Sequence, residues 1–171
     1  MALTATYQTT LDTNKTTTHG LATATATYKK SLSAGFASAQ VIFTSAFSLV
    51  TAGGVYPTKS YTLSDGSGLK DAVGDNIYFS AIDFIRVRNT TANGSAGQTI
   101  YALGYTNAVD FGLAATSGIT IATDHHLDIA TSTGGLPVTS GSTDVVRVEH
   151  HGLGSTATTF ELVIIGRGKT W

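Results

Sequence analysis

The chain has 171 residues, of which 42% are hydrophobic and 12% are charged, and it contains no cysteine. This length and hydrophobic content suit one folded domain and exclude a disordered chain, and the missing cysteines exclude disulfides and thiolate metal sites. The formal net charge is −1 and like charges form no runs, so the basic stripe of a nucleic-acid-binding protein is absent and we expect no nucleic-acid partner.

The first thirty residues differ from the rest of the chain, because they are rich in Thr and Ala and nearly lack large apolar side chains. The stretch LATATATY at residues 21–28 alternates Ala with Thr, which suits a strand but supplies too little apolar volume for a core. Residues 1–30 are therefore predicted to be an extended N-terminal arm, followed by a domain over residues 31–171. A solvated tail and an arm that adds a strand to a neighbouring subunit look alike in sequence, so both interpretations stay open.

The opening sequence MALTATYQTTLDT has neither the basic region nor the apolar region of a secretory signal. No apolar stretch approaches the ~20 residues of a membrane span. We therefore expect no membrane partner and synthesis in a cytoplasm, with export by another route or release by lysis left open.

The first half of the domain reads as strands separated by turns. Residues 31–54 favour strands over a helix, because Gly and Ser bound them and β-branched residues are frequent. Residues 60–63 predict a short strand, and residues 69–74 a helical turn or a loop. Residues 76–89 predict a long strand that is bent near Ser80, with alternate residues on opposite faces. One predicted face holds Asp83, Ile85 and Val87, and the other holds Ile82, Phe84, Arg86 and Arg88.

The second half continues this pattern. Residues 99–105 predict a strand, residues 118–131 one long strand or two strands in line, and residues 144–150 and 158–165 a closing hairpin. In the last strand Phe160, Leu162 and Ile164 share one face, and the opposite face ends in the apolar residues Val163 and Ile165. Both faces of this strand are therefore predicted to be covered. About eight closely spaced strands predict an all-β fold, an antiparallel β-sandwich that is jelly-roll-like and carries the extended N-terminal arm.

Two histidine pairs are the candidate metal ligands: His125 and His126 in TDHHLD, and His150 and His151 in VEHHG. Alternation along a strand groups His126 with Asp124 and Asp128, His151 with Arg147 and Glu149, and His150 with Val148. If the two strands were neighbours, imidazoles and carboxylates could converge on Zn²⁺ or Ni²⁺, and one His near a trimer axis could also form a site. Hydrogen bonding at a rim or an interface is the competing interpretation.

The sequence carries no pattern typical of an enzyme. It lacks G-x-S-x-G, H-E-x-x-H and a phosphate-binding loop, and its histidines are adjacent where cupin-like metalloenzymes have H-x-H. We therefore expect no enzymatic activity and no cofactor. Three arginines, Arg86, Arg88 and Arg147, are expected to pair with Asp83, Asp144 or Glu149 across strands.

Several segments carry a resemblance to a known group of proteins. The order SYTLSD, LKDAVGDNIYFSAIDFIRVRN, IYALGYTNA, HHLDIATSTGGLPVTSG and STDVVRVEHHGLGSTATTFELVIIGR spans much of residues 49–167. It resembles small structural proteins of tailed-phage virions, namely capsid decoration (cement) or head-surface proteins, and FELVIIGR is its most specific part. The resemblance implies a trimer on the capsid surface whose partner is the major capsid protein. The Thr/Ala arm and the histidine pairs are not part of that pattern.

A different class of function also stays open. A head-fibre, tail or adhesin-type module would bind a receptor or a glycan through aromatic side chains. The available aromatic residues are Tyr56, Tyr61, Tyr78, Tyr101, Tyr105 and Trp171.

Overall fold

The computed structural model describes residues 5–19, 22–36, 40–50, 56–65, 68–71, 74–91, 99–102, 107–109, 111, 118–131, 134–150 and 157–170. Strands and turns make up these residues, and no helix occurs among them. The strands are β1 (Ala5–His19), β2 (Ala22–Phe36), β3 (Gln40–Val50), β4 (Thr58–Thr62), β5 (Ile77–Asn89), β6 (Thr99–Ala102), β7 (Gly118–Ile121), β8 (His126–Ala130), β9 (Leu136–Pro137), β10 (Val145–His150) and β11 (Ala157–Thr170).

The chain divides into two compact units, Met1–Ser38 and Ala39–Trp171. In the first unit β1 and β2 form an antiparallel hairpin, which pairs Ala5 with Phe36 and His19 with Ala22. Lys30, the predicted end of the arm, lies inside β2. The arm residues thus take part in a two-stranded ribbon that extends beyond the predicted limit.

The second unit is an antiparallel β-sandwich with jelly-roll connectivity. One sheet has the strand order β4-β10-β6-β7, and the other has the order β3-β11-β5-β8, with the short β9 also paired to β5. Apart from β9, the antiparallel pairs are nested: β3 with β11, β4 with β10, β5 with β8, and β6 with β7. Nested pairs that alternate between two sheets define a jelly roll, so the predicted fold class is confirmed.

The core lies between the two sheets and follows the two-residue period of the strands. In β11 the side chains of Phe160, Leu162 and Ile164 are buried, as predicted, and each contributes about 1.5–3 kcal/mol relative to exposure. On the other face of this strand Glu161 is exposed and Val163 is only partly buried. The predicted cover on that second face is therefore incomplete among the described residues.

Tyr61 of β4 links the two sheets through both its ring and its hydroxyl group. Its ring packs edge-on against Phe43 of β3, with centroids 5.2 Å apart, and its hydroxyl group donates a 2.8 Å hydrogen bond to Ser45 Oγ. Burial raises the pKa of Tyr61 above its ordinary value, and the hydrogen bond to Ser45 opposes that rise.

The predicted bend in β5 is seen as two register shifts against β11. Ile165 pairs with Phe84 but Gly166 pairs with Ile82, and a second shift follows between Arg167 and Gly168. The extra residue moves Ile82 into the core cluster together with Ile85 and Val87. The predicted face that joined Ile82 to Phe84 is therefore wrong, because a bulge interrupts the alternation that the prediction assumed.

Gly166 and Gly168 allow β11 to approach β5 closely at these shifts. A Cβ atom at Gly166 would overlap the carbonyl oxygen of Ala81, and one at Gly168 would overlap that of Tyr78. A side chain at either position would therefore displace backbone.

The structure also corrects the prediction for residues 118–131 and decides between the helical turn and the loop predicted for residues 69–74. Residues 118–131 form β7 and β8, which belong to different sheets and so are not in line. They are joined by a turn in which the His125 amide donates to the Ala122 carbonyl, with Asp124 at φ 59°. Residues 68–71 and 74–76 form a loop, which is closed by the bridge between Lys70 and Asn76.

Candidate functional site

The first histidine pair lies at the start of the edge strand β8. His125 belongs to the preceding turn, where its Nδ1 atom lies 2.7 Å from the Thr123 carbonyl oxygen. His126 lies in β8 and is exposed, and its Nε2 atom is 3.7 Å from Oδ2 of Asp128. The predicted grouping of His126 with Asp128 is thus observed.

His150 lies in the interior. It is the last residue of β10, and its side chain points into the core from the same face as Val148, as the alternation predicts. The imidazole Nε2 atom forms a 2.8 Å hydrogen bond with Oγ1 of Thr158 in β11. This hydrogen bond joins the two sheets.

The structure does not place His126 and His150 on neighbouring strands, because β8 and β10 lie in different sheets. Among the residues that the structure describes, no three His, Cys, Asp or Glu side chains form a group that could hold a metal ion. His151 and Trp171 lie outside the described residues.

A charged strip runs across the outer face of the β3-β11-β5-β8 sheet. Arg86 makes a bidentate pair with Asp128, with distances of 2.7 and 2.8 Å. Arg88 lies 3.4 Å from Asp124 and 3.7 Å from Glu161. The strand register explains these contacts, because β5 pairs Arg86 opposite Asp128 and Arg88 opposite both His126 and Glu161.

The predicted arginine partners were mostly wrong. Asp83 pairs with Arg167 at 2.9 Å, across the bulged part of β5 and β11. Asp144 accepts hydrogen bonds from the Ser64 hydroxyl and the Gly141 amide. Arg147 contacts Glu149 at 2.9 Å, but the two belong to one strand and not to neighbouring strands. The partners Asp124 and Asp128 lie four residues apart in the sequence, whereas Arg86 and Arg88 lie two apart, so spacing alone does not indicate these pairs.

The β3 half of this outer face has no charged side chain of its own, although Glu161 of the charged strip lies directly opposite Ala46. The outward residues of β3 pair with those of β11 in continuous register, so that Thr44 lies opposite Val163 and Ile42 opposite Ile165. Further along β3, Ala46 and Ser48 are exposed, and Val50 is 47% exposed. The charged strip and this uncharged half divide one sheet face between them.

The uncharged half ends at the open edge of β3. Among the described residues β3 pairs with β11 alone, so the backbone groups along its other side have no strand partner. β3 is 11 residues long, and its sequence QVIFTSAFSLV contains neither a charge nor a proline. A long, regular, uncharged edge strand is a template for pairing with another strand.

The remaining described edges of the sandwich carry features that discourage such pairing. β4 has the exposed Lys59. β7 is only 4 residues long. On the far side of β5, β8 carries His126 and Asp128, and β9 contains Pro137. Charges, proline and short length are the ordinary means of protecting an edge, and β3 has none of them.

Comparison of the chain with protein-family models, with curated proteins and with solved structures gives no match. No helix within the described ranges is long and apolar enough to cross a membrane.

Proposed function

We propose that the chain is a non-enzymatic structural protein of a tailed-phage virion, a decoration or cement protein that binds the outside of the head and stabilises it. The observation that carries this proposal is the nested jelly-roll pairing combined with the open, uncharged edge of β3. Jelly rolls also occur in lectins and cupins, so the fold alone does not assign the function. An open edge adds a means of assembly through backbone hydrogen bonds.

The positions of the resembling segments support the proposal. The segment NIYFSAIDFIRVRN forms β5, and FELVIIGR lies in β11. These two strands pair with each other in the middle of one sheet. The two segments that resemble phage head-surface proteins most clearly thus belong to one sheet.

Composition supports an assembled state. Only 12% of the residues are charged, and a near-neutral surface of this kind favours association. In the proposal three copies form a trimer whose partner is the major capsid protein. Three linked contacts would strengthen a weak single contact with the shell by avidity.

Co-sedimentation tests the proposal. Heads from phage that lack the gene are mixed with increasing amounts of purified protein and pelleted, and isolated tails serve as the matched control. We expect the protein to pellet with heads until the sites are filled, and to stay in the supernatant with tails. Binding to tails alone would replace the decoration role with a tail role.

A receptor- or glycan-binding module, as on a head fibre or an adhesin, is the second candidate. Its support is Tyr56, which is 47% exposed and offers an aromatic surface beside Pro57. Binding of the purified protein to a glycan array, lost in Tyr56→Ala and retained in Lys59→Ala, would favour this candidate.

A further inference from the structure

We infer that the open edge of β3 is completed by β2 of a neighbouring copy of this chain, which adds antiparallel to the β3-β11-β5-β8 sheet. This inference rests on the proposed trimer and names the contact that holds it together.

The hairpin of β1 and β2 needs a partner. Each strand has 15 residues and so extends for about 50 Å at ~3.3 Å per residue. A two-stranded hairpin is at best marginally stable alone in water, and a third strand or a packing surface is required. Since the ribbon is poor in large apolar residues, backbone hydrogen bonding to a further strand is the interaction it can best supply.

β2 is the better of the two ribbon edges for this pairing. The two charges of β2, Lys29 and Lys30, are adjacent and leave residues 22–28 and 31–36 uncharged, whereas Asp12 and Lys15 interrupt β1 at two separate places. β3 is equally uncharged over residues 40–50. Two uncharged strands can pair without placing like charges opposite each other.

The contact is heterologous, since β2 of one copy meets β3 of the next. A heterologous contact repeated by rotation closes into a ring, and a ring of three copies is the proposed trimer. Each copy would then donate one ribbon and accept one, which leaves no β3 edge open in the assembly.

Disulfide trapping tests this contact directly, because the natural chain has no cysteine and the introduced thiols would be the only ones. An acceptor in β3, Thr44→Cys or Ser48→Cys, is combined with one cysteine in turn at each of residues 22–28, for example Thr25→Cys. The proteins are oxidised and separated on a non-reducing gel. We expect some combinations to give a covalent trimer, while the single-cysteine variants stay uncrosslinked.

Three results would overturn the inference. Disulfides formed only within one chain would mean that the ribbon docks on its own sandwich. Dimers of Thr44→Cys or Ser48→Cys alone would mean that two β3 strands pair with each other. Free thiols throughout the panel would mean that β2 does not reach β3.

A charge on the edge strand supplies a second, independent measurement. Ala46→Lys places a lysine on the exposed side of β3, and Thr120→Lys places one on the short edge strand β7 as the matched control. We expect light scattering to give a monomer mass for Ala46→Lys and a trimer mass for Thr120→Lys, with equal urea midpoints for the sandwich. A trimer that persists in Ala46→Lys contradicts the inference.

Head binding by the natural protein reports on the proposed function separately. If disulfide trapping detects no β2–β3 contact but the natural protein still binds heads, the decoration role stands and only the inferred interface is ruled out.

Discussion

The imidazole of His150 and the hydroxyl of Thr158 form a buried 2.8 Å hydrogen bond between the two sheets of the sandwich. The two side chains are 1% and 0% exposed, and they come from consecutive strands of the chain, β10 and β11. A polar pair in the core fixes how the two sheets face each other, because each group requires a partner when it is removed from water. His150 is therefore a structural residue of the core.

Replacement of Thr158 should show how much this hydrogen bond contributes to the free energy of unfolding. Thr158→Val keeps the shape of the side chain but removes the hydroxyl group beside the imidazole. We expect the free energy of unfolding, measured by urea denaturation, to fall by about 1–3 kcal/mol. The control is Thr44→Val on the exposed side of β3, which should change it by less than about 0.5 kcal/mol. Equal effects of the two variants would contradict the structural role of the pair.

The bulged contact between β5 and β11 should not tolerate a side chain at Gly166. Gly166→Ala places a Cβ atom against the Ala81 carbonyl, so the backbone of one strand must shift. We expect a loss of about 1–3 kcal/mol in thermal or urea unfolding. Gly68→Ala is the matched control, because nothing lies within 4 Å of a Cβ atom there. A Gly166→Ala protein as stable as Gly68→Ala would show that the strands are farther apart than described.

Tyr61 should make stability depend on alkaline pH. Its pKa is raised in the folded protein, so folding favours the protonated phenol. The contribution is complete below the ordinary pKa of 10.0 and is lost as the pH rises above that value. At pH 7, Tyr61→Phe should lower stability by about 0.5–1.5 kcal/mol, because it removes the hydrogen bond to Ser45. The difference between the two proteins should shrink above pH 10, and a constant difference from pH 7 to 11 would contradict this account.

The charged strip should contribute unevenly to stability. The bidentate Arg86–Asp128 pair is shorter and less exposed than the contact between Arg88 and Glu161. Asp128→Asn is expected to cost about 1 kcal/mol, and Glu161→Gln less than about 0.5 kcal/mol. Urea denaturation at low and at high salt measures both, and salt should reduce the effect of Asp128→Asn. A larger cost for Glu161→Gln would reverse the order of the two pairs.

The sequence was sufficient for the fold class because the core strands obey a strict two-residue period. Phe160, Leu162 and Ile164 share the buried face of β11, and Val148 and His150 share a face in β10, as predicted. The predicted assignment of residues to the two faces of β5 is wrong where an extra residue interrupts the two-residue period. The bulge beside Asp83 moves Ile82 into the core, and no glycine or proline within β5 indicates that bulge.

Partners across strands were harder to predict than faces along one strand. The pairing of Arg86 with Asp128 depends on which strands are neighbours and on their register, neither of which alternation supplies. For the same reason the histidine pairs could be assigned to faces, but not to sheets. The open edge of β3 likewise became recognisable only once the strand order was known.

A heat challenge of phage heads tests the central claim, that the protein binds the outside of a head and stabilises it. Heads that lack the protein are heated with and without saturating purified protein, and the release of DNA is followed with an intercalating dye. The account predicts that DNA is released at a higher temperature from the decorated heads, and that Ala46→Lys protects less well than the natural chain. Equal release temperatures for bare and saturated heads would contradict it.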